Sequence, residues 1–467
     1  MSHLARLAAL AAAASSLAAC AVGPDYKTPA PIAGTQGPFV SAGLTAVTPE
    51  APPADWWRLF QSPTLDALVQ EALVANKDIA VAAANLAEVR ASLRESRSAF
   101  LPSTNVTASA ARVRQPNLAT GATEEGDNFS VGFEAAYEVD LVGRVRRLVE
   151  ASRADADAAQ AALDATRVAV AAETARAFTD ACAANAQLAV ARRTLSLQQE
   201  TFNLTSRQLE AGRGTGLDVA QASTQLESTR ATLPPLEAQR DEALFRLAVL
   251  TGKPPAQLSP EARACQTIPQ VATAIPVGDG ASLLRRRPDV RQAERQLAAA
   301  TARIGVATAE LYPSVSLGGS IGTAAAKAGD LGDDYQFSVG PLISWTFPNI
   351  VATRARIAQA DARAQAALAT FDQANLTALQ EAETALSNYA RELDRRTALT
   401  RARDESARAA RLARMRFDAG VDSFLNVLVA EQTLANLEAQ LAASQAQTGA
   451  NQIALFRALG GAWTPSA

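Results

Sequence analysis

From Arg144 to Ala211 the chain holds no Gly and no Pro, and it is dense in Ala, Leu, Arg, Glu and Gln. All are good helix formers. One helix of roughly 68 residues is a rod about 100 Å long, several times the usual length in a globular domain. Asn349 to Ala419 is a second unbroken run, roughly 71 residues and about 105 Å. Two such rods in 467 residues leave little chain for several compact domains. They indicate a molecule built for length, of the kind needed to cross a wide compartment.

The landmarks around the rods occur twice. Ser98-Ala99-Phe100-Leu101-Pro102-Ser103 is echoed by Ala309-Glu310-Leu311-Tyr312-Pro313-Ser314. Gln208-Leu209-Glu210-Ala211-Gly212 is echoed by Arg416-Phe417-Asp418-Ala419-Gly420, and Leu217-Asp218-Val219 by Leu425-Asn426-Val427. From Tyr137 and Trp345 onward the offset holds at about 208 residues, a period suited to duplication of a domain half. The first repeat covers residues 55–264 and the second 281–467, joined by a linker at 265–280. Each reads as helix, two strands, long rod, tight turn and returning helix.

The strands carry the functional signal. Phe129, Val131, Phe133, Ala135, Tyr137 and Val139 alternate with Ser130, Gly132, Glu134, Ala136, Glu138 and Asp140. Phe337, Val339, Pro341, Ile343, Trp345 and Phe347 alternate in the same way with Gln336, Ser338, Gly340, Leu342, Ser344 and Thr346. Partner strands are expected near Ser103–Val113 and Ser314–Thr323. Period two with aromatics toward one end fits an outer-membrane barrel strand. A half-buried sheet in a soluble domain gives the same pattern. Counting separates the two in one respect: four strands cannot close a membrane barrel, which needs about eight or more. An open edge in lipid would leave backbone groups unpaired. In a membrane, the barrel must therefore be shared between chains.

Met1 to Ala19 combines Arg6, a short Leu/Ala run and Leu17-Ala18-Ala19-Cys20. This is an export signal, too short to span a bilayer. Small residues before Cys20 resemble a lipobox, in which cleavage leaves Cys20 as the lipidated mature N-terminus; ordinary cleavage after Ala19 or a buried apolar cysteine is the plainer alternative. Residues 20–54 are rich in Pro, Gly, Thr and Ser and read as an extended tether.

Several functions are excluded by content. The single histidine, His3, falls in the signal, so no histidine remains for general-base or metal work. There is no Gly-rich phosphate loop or Ser-His pair. Catalytic, cofactor and metal sites are expected to be absent, with covalent lipid on Cys20 as the sole attached group. A formal charge of −3 with signs interspersed argues against nucleic acid. A lipid-anchored envelope coiled coil would explain the rods but not the aromatic strand face. A metal-ion duct lacks soft ligands, since only Met415 remains after signal removal.

The most specific runs are Asp55-Trp56-Trp57-Arg58-Leu59-Phe60, Tyr137-Glu138-Val139-Asp140-Leu141-Val142-Gly143-Arg144, and Leu284-Arg285-Arg286-Arg287-Pro288-Asp289-Val290 with Tyr312-Pro313-Ser314. With Cys20-Ala21-Val22-Gly23-Pro24-Asp25-Tyr26, they resemble the TolC-like outer-membrane efflux lipoproteins, the NodT/OprM-type outer components of tripartite RND export systems. The resemblance covers nearly the whole chain. It implies a mainly α fold with a small membrane β part: a homotrimer with a twelve-stranded β-barrel, four strands per protomer, continuous with a periplasmic α-barrel. The linker would lie in an equatorial region. Outer-membrane lipid, a periplasmic adaptor and an inner-membrane pump are the implied partners, small organic compounds or drugs the implied cargo. Ala21 after Cys20 implies sorting to the outer membrane.

In that family the far ends of the rods form the periplasmic tip. Gly212 and Gly420 end the rods as helix C-termini requiring positive φ do. Asp218 matches a residue that helps hold the tip shut, or else serves only as an N-terminal helix residue. Asn426 and Val429 stand where aspartates often form constriction rings, so a less charged gate is implied. Asp422 is either a substitute acid or a solvated loop carboxylate. Pro234-Pro235 should bend the first returning helix, whereas the second has no proline. Cys182 and Cys265 reach similar heights along their helices. A disulfide and two free thiols are both open, with free thiols favoured because nothing in the sequence fixes their lateral separation.

Overall fold

In the computed structural model, residues 21–461 are described, apart from 31, 36, 45–46, 117–120, 122 and 349. The signal segment and Cys20 lie outside the described residues. A two-residue strand, β1 (Val47–Thr48), precedes helices α1 (Pro63–Ala75) and α2 (Lys77–Ser98). Ser62 caps α1 by accepting from the Leu65 N–H, with Pro63 in the first turn, where its missing donor costs nothing. Strands β2 (Ser103–Pro116) and β3 (Thr123–Val139) then lead into α3 (Arg144–Glu210). The returning chain is α4 (Gly216–Arg230) and α5 (Leu233–Leu250). Short elements follow: α6 (Pro260–Ala264), β4 (Ile275–Pro276) and α7 (Gly280–Arg286). The second copy runs α8 (Pro288–Ala309), β5 (Ser314–Ala325), β6 (Gln336–Ser344), α9 (Ile350–Asp418) and α10 (Phe424–Ala458).

The rods α3 and α9 are unbroken over 67 and 69 residues. Each starts and stops within a residue or so of where the Gly/Pro-free runs do. At the start of α3, the Asp140 carboxylate accepts the N–H groups of Val145 and Arg146, both at 3.0 Å. An acid there satisfies orphan donors and complements the helix dipole.

Two compact units are present, and neither is one sequence repeat. The first contains the described residues through Ala30, Ala84–Gln160 and Gln292–Asp372, and so holds the main sheet. That sheet is antiparallel in the order β2-β3-β5-β6. The β3–β5 pairing joins the two repeats, with Phe129 opposite Ala325 and Val139 opposite Val315. β3 is longer than its apolar alternation suggested. Its extra residues pair with β2 through Arg112 beside Asp127 and Arg114 beside Glu125, and charged cross-strand pairs extend a ladder without leaving an apolar signature. β6 ends at Ser344, before the last alternating aromatics.

The second unit contains Pro31–Ala83, Ala161–Arg291 and Gln373–Ala467. Its core combines large side chains, including Trp56, Phe60, Phe178, Leu247, Leu283 and Phe456, with a run of alanines from α3. The Trp56 and Phe456 rings stack at 5.0 Å. Ala171, Ala175, Ala177 and Ala181 let neighbouring helices approach closely, which is how a chain poor in aromatics still packs at interior density. The segment after Ala30 is docked rather than free. Phe39 is buried, the Val40 and Ser41 N–H groups donate to the Glu383 carboxylate, and β1 pairs in parallel with β4.

Cys182 and Cys265 are disulfide-bonded, with their Cα atoms 4.9 Å apart, which corrects the free-thiol expectation. The lateral separation that helical rise could not supply is set by Asn185. Its amide donates to the backbone carbonyls of Arg263 and Cys265 at 3.1 and 2.8 Å. That holds the segment after α6 against α3, one turn from Cys182. The first returning helix is interrupted just before Pro234-Pro235, as the sequence implies. α4 stops at Arg230 and α5 resumes at Leu233, with the prolines in its first turn, whereas α10 runs 35 residues without interruption.

Candidate functional site

The first functional surface is the sheet. Directly opposed residues share a face, and one row crosses all four strands: Val106, Phe133, Ile321 and Phe337. These apolar side chains are 70%, 43%, 49% and 70% exposed. Val131, Leu317, Val339 and Ile343 extend the same face. The opposite face carries Asn105, Glu134, Ser320 and Ser338 in register, with the two serine hydroxyls hydrogen-bonded at 2.9 Å. A sheet half-buried in a soluble domain would cover its apolar side. Here that side is bare, and an exposed apolar patch of this extent marks a partner or a membrane. Trp345 and Phe347 stack at 4.8 Å just past the end of β6, both exposed, as aromatics at a membrane interface do. Among the described residues no helix is long and apolar enough to cross a membrane. β2 and β6 are its unpaired edges.

The second is the pair of turns that end the rods. Gly212 has φ +70° and Gly420 has φ +72°. The Gly212 N–H donates to Leu209 O and the Arg213 N–H to Gln208 O; the Gly420 N–H donates to Phe417 O and the Val421 N–H to Arg416 O. Both are Schellman caps, which need the left-handed conformation that glycine adopts without strain.

After the caps the two turns diverge. Thr215 starts α4 with a capping box: its hydroxyl accepts from the Asp218 N–H, and the Asp218 carboxylate accepts from the Thr215 N–H at 2.9 Å. Asp218 is therefore occupied as a helix-capping residue. Ser423, the counterpart of Thr215, starts α10 without a side-chain cap bond. Instead Asp422 organises the second turn, accepting from the Ser423 N–H at 2.9 Å, from Arg416 Nε at 3.0 Å and from the Asn426 amide. Asn426 is thus joined to Asp422. The Asn426 amide, the Ser423 N–H and Arg416 hold the Asp422 carboxyl below the usual range, since all three bond its charged form. Phe424 and Val427 are buried, and Phe424 meets Phe417 edge-on at 5.8 Å. Val421, Leu425 and Val429 are exposed.

A polar seam joins the two rods a few turns further in. Glu431 accepts from Arg414 at 3.2 Å and from the Thr201 hydroxyl at 3.3 Å. Burial pushes the Glu431 carboxyl up in spite of Arg414. The neighbouring Gln198 is buried with both amide atoms unpartnered. Sequence reading missed this seam, because Gln198, Thr201 and Glu431 are ordinary polar residues on long polar helices. Among the described residues no cluster of three or more His, Cys, Asp or Glu could hold a metal ion.

The family model for outer membrane efflux proteins matches residues 68–253 and 281–461. The chain belongs to this family. A pyoverdine export outer membrane protein of Pseudomonas aeruginosa, OpmQ, is 32% identical over 96% of each chain. A toluene efflux pump outer membrane protein of Pseudomonas putida, TtgC, is 32% identical over 98% of this chain and 96% of its own. Among solved structures, the outer-membrane channel OprN superposes with a TM-score of 0.90 at 36% identity, covering 96% of this chain and 100% of that one. The fold is that of the TolC-like channels, a helical barrel with a small β part. The protein is an outer-membrane efflux channel rather than an enzyme. The envelope coiled-coil alternative is thereby set aside, and the bare apolar sheet face has its explanation.

Proposed function

We propose that three copies of this chain close one passive exit duct, each contributing β2, β3, β5 and β6 to a shared barrel and α3 to α5, α9 and α10 to a helical tube. The observation that carries this reading is the exposed row Val106, Phe133, Ile321 and Phe337 on a sheet whose β2 and β6 edges are open. Open edges cannot remain unpaired in lipid, and pairing each β6 with a neighbour's β2 satisfies them. In this reading Cys20 carries lipid, and the Gly212 and Gly420 turns form the periplasmic end, where an adaptor and an RND-type inner-membrane pump dock. The cargo is a small organic compound, in keeping with relatives named for pyoverdine and toluene export. Because Asp218 caps α4 and Asn426 bonds Asp422, the constriction is formed by Val429 and Leu425 with little net charge. An apolar constriction gates by excluding water rather than by attracting ions.

The test is planar-bilayer conductance of purified full-length protein, combined with cysteine pairs placed on β2 and β6. The expected result is discrete channels, with crosslinking that yields trimers and no higher ladder. Crosslinked dimers alone, or no channels, would sink the reading. Val429→Asp should then raise cation preference; an unchanged ion selectivity would remove Val429 from the constriction.

A further inference from the structure

The apolar face of the main sheet changes character at one end. On β3 that face runs Val139, Tyr137, Ala135, Phe133, Val131 and Phe129, opposite Val315, Leu317, Gly319, Ile321, Thr323 and Ala325 of β5. None carries a charge. The ten steps from Val139 to Phe129 cover about 34 Å along the strand. A tilt of about 40° turns this into about 26 Å of height, the size of a barrel's apolar band. The next rows of the same face are Arg112 opposite Asp127 and Arg114 opposite Glu125. They begin about 5 Å beyond the band, by the same rise and tilt. These are the only basic residues in β2, β3, β5 and β6, and both stand on one face, at the end far from the rods. An arginine on a lipid-facing surface is costly at the bilayer midplane and tolerated at its interface.

The two arginines are held without being used up. Arg112 lies 3.8 Å from both Glu125 and Asp127, and Arg114 lies 3.6 Å from Glu125. Charge-assisted hydrogen bonds are shorter, about 2.7–2.9 Å. Both arginine side chains are 71% exposed, so the acids steer the guanidinium groups while N–H donors still face outward. A guanidinium presents paired donors that match phosphate oxygens and bind them through two parallel bonds.

We propose that Arg112 and Arg114 bind the phosphorylated headgroup of an outer-leaflet lipid whose acyl chains lie on the band from Phe129 to Val139. Glu125 and Asp127 keep the guanidinium groups side by side and compete with the phosphate for them. The occupant is a lipid and not a free anion, because the cations continue the apolar band on the same face without a gap. The inference rests on the reading of β2, β3, β5 and β6 as strands of a shared barrel in the outer membrane.

Native mass spectrometry of the purified full-length protein in detergent, titrated with lipid A bearing two phosphates and with lipid A stripped of them, tests it. The parent should prefer the phosphorylated form by roughly tenfold, as a charge-assisted hydrogen bond would. Arg112→Gln with Arg114→Gln should abolish that preference, whereas Arg112→Lys with Arg114→Lys should keep part of it. Glu125→Gln with Asp127→Asn should increase it, since the competing acids are gone. An equal preference in the parent and the glutamine variant would overturn the site, as would a lower one in the variant lacking the acids. Full displacement of lipid A by excess inorganic phosphate would overturn the lipid as occupant. Planar-bilayer conductance of the parent separates the two claims. Absence of channels defeats the barrel reading, whereas channels together with equal lipid preference defeat the lipid site alone.

Discussion

The turns after Gly212 and after Gly420 are the same structure up to the glycine and different structures beyond it. Both close their rods with identical Schellman bonds. The first then restarts its helix with a Thr215–Asp218 capping box, whereas the second hands the same task to Asp422, which gathers Ser423, Asn426 and Arg416. The stop signal needs one residue type in one conformation. The restart can be built in more than one way, so an acid at position 218 and an amide at 426 are both tolerated. The consequence for function is that the charge moves. At the first turn it sits on the third helical residue, and at the second it sits in the loop, tied up by an arginine.

Breaking the disulfide is the largest perturbation and should leave the comparison untouched. Replacing Cys182 and Cys265 by Ser releases a link spanning 83 residues, worth up to about 4.5 kcal/mol on the chain-entropy model. The denaturant midpoint should fall while hydrogen exchange at both turns, measured under native conditions, stays as in the parent. Next, Gly212→Val and Gly420→Val should each cost about 1–2 kcal/mol, the usual penalty of a left-handed L-residue. Equal losses of thermal stability would confirm that the caps are equivalent; a severalfold difference would break the analogy. Thr215→Ala should cost about 1 kcal/mol and Ser423→Ala only a few tenths, because only Thr215 makes a cap bond.

The smallest effect is in pH, and its sign differs between two groups of the second hairpin. Asp422 is held below its ordinary 3.8, so its contribution is present above that value and is lost as pH falls through the folded-state value. Glu431 lies above its ordinary 4.5 because of burial; the folded state binds its proton more readily, so stability at the seam rises as pH falls through that raised value. Exchange protection in α10, corrected for intrinsic rates, should first rise and then fall on acidification, and Glu431→Gln should abolish the rise. A monotonic profile in the parent would contradict the assignment.

The rods, the caps and the strand faces were legible because each depends on local composition: absence of breakers over Arg144–Ala211, glycine at 212 and 420, alternation in β3. What escaped depends on which helix lies beside which. The Cys182–Cys265 bond is set by Asn185 reaching across to a loop, and rise along a helix carries no information about that. Glu431, Thr201 and Gln198 gain their meaning only when α3 meets α9 and α10. The stretch from Ala21 to Thr28 read as part of an extended tether because residues 20–54 are rich in Pro, Gly, Thr and Ser, yet the Val22 N–H donates to Val142 O and Arg147 to Asp25. Val142 and Arg147 lie far away in the sequence.

On the polar side of the sheet, Ser103, Ala136, Gly318 and Gly340 stand in register, and nothing lies within 4 Å of a Cβ built on either glycine. A molecule sliding past that band would brush peptide groups and short stubs, with no bulky side chain to sort it by shape. At that band the sheet offers no side chain able to prefer one cargo over another.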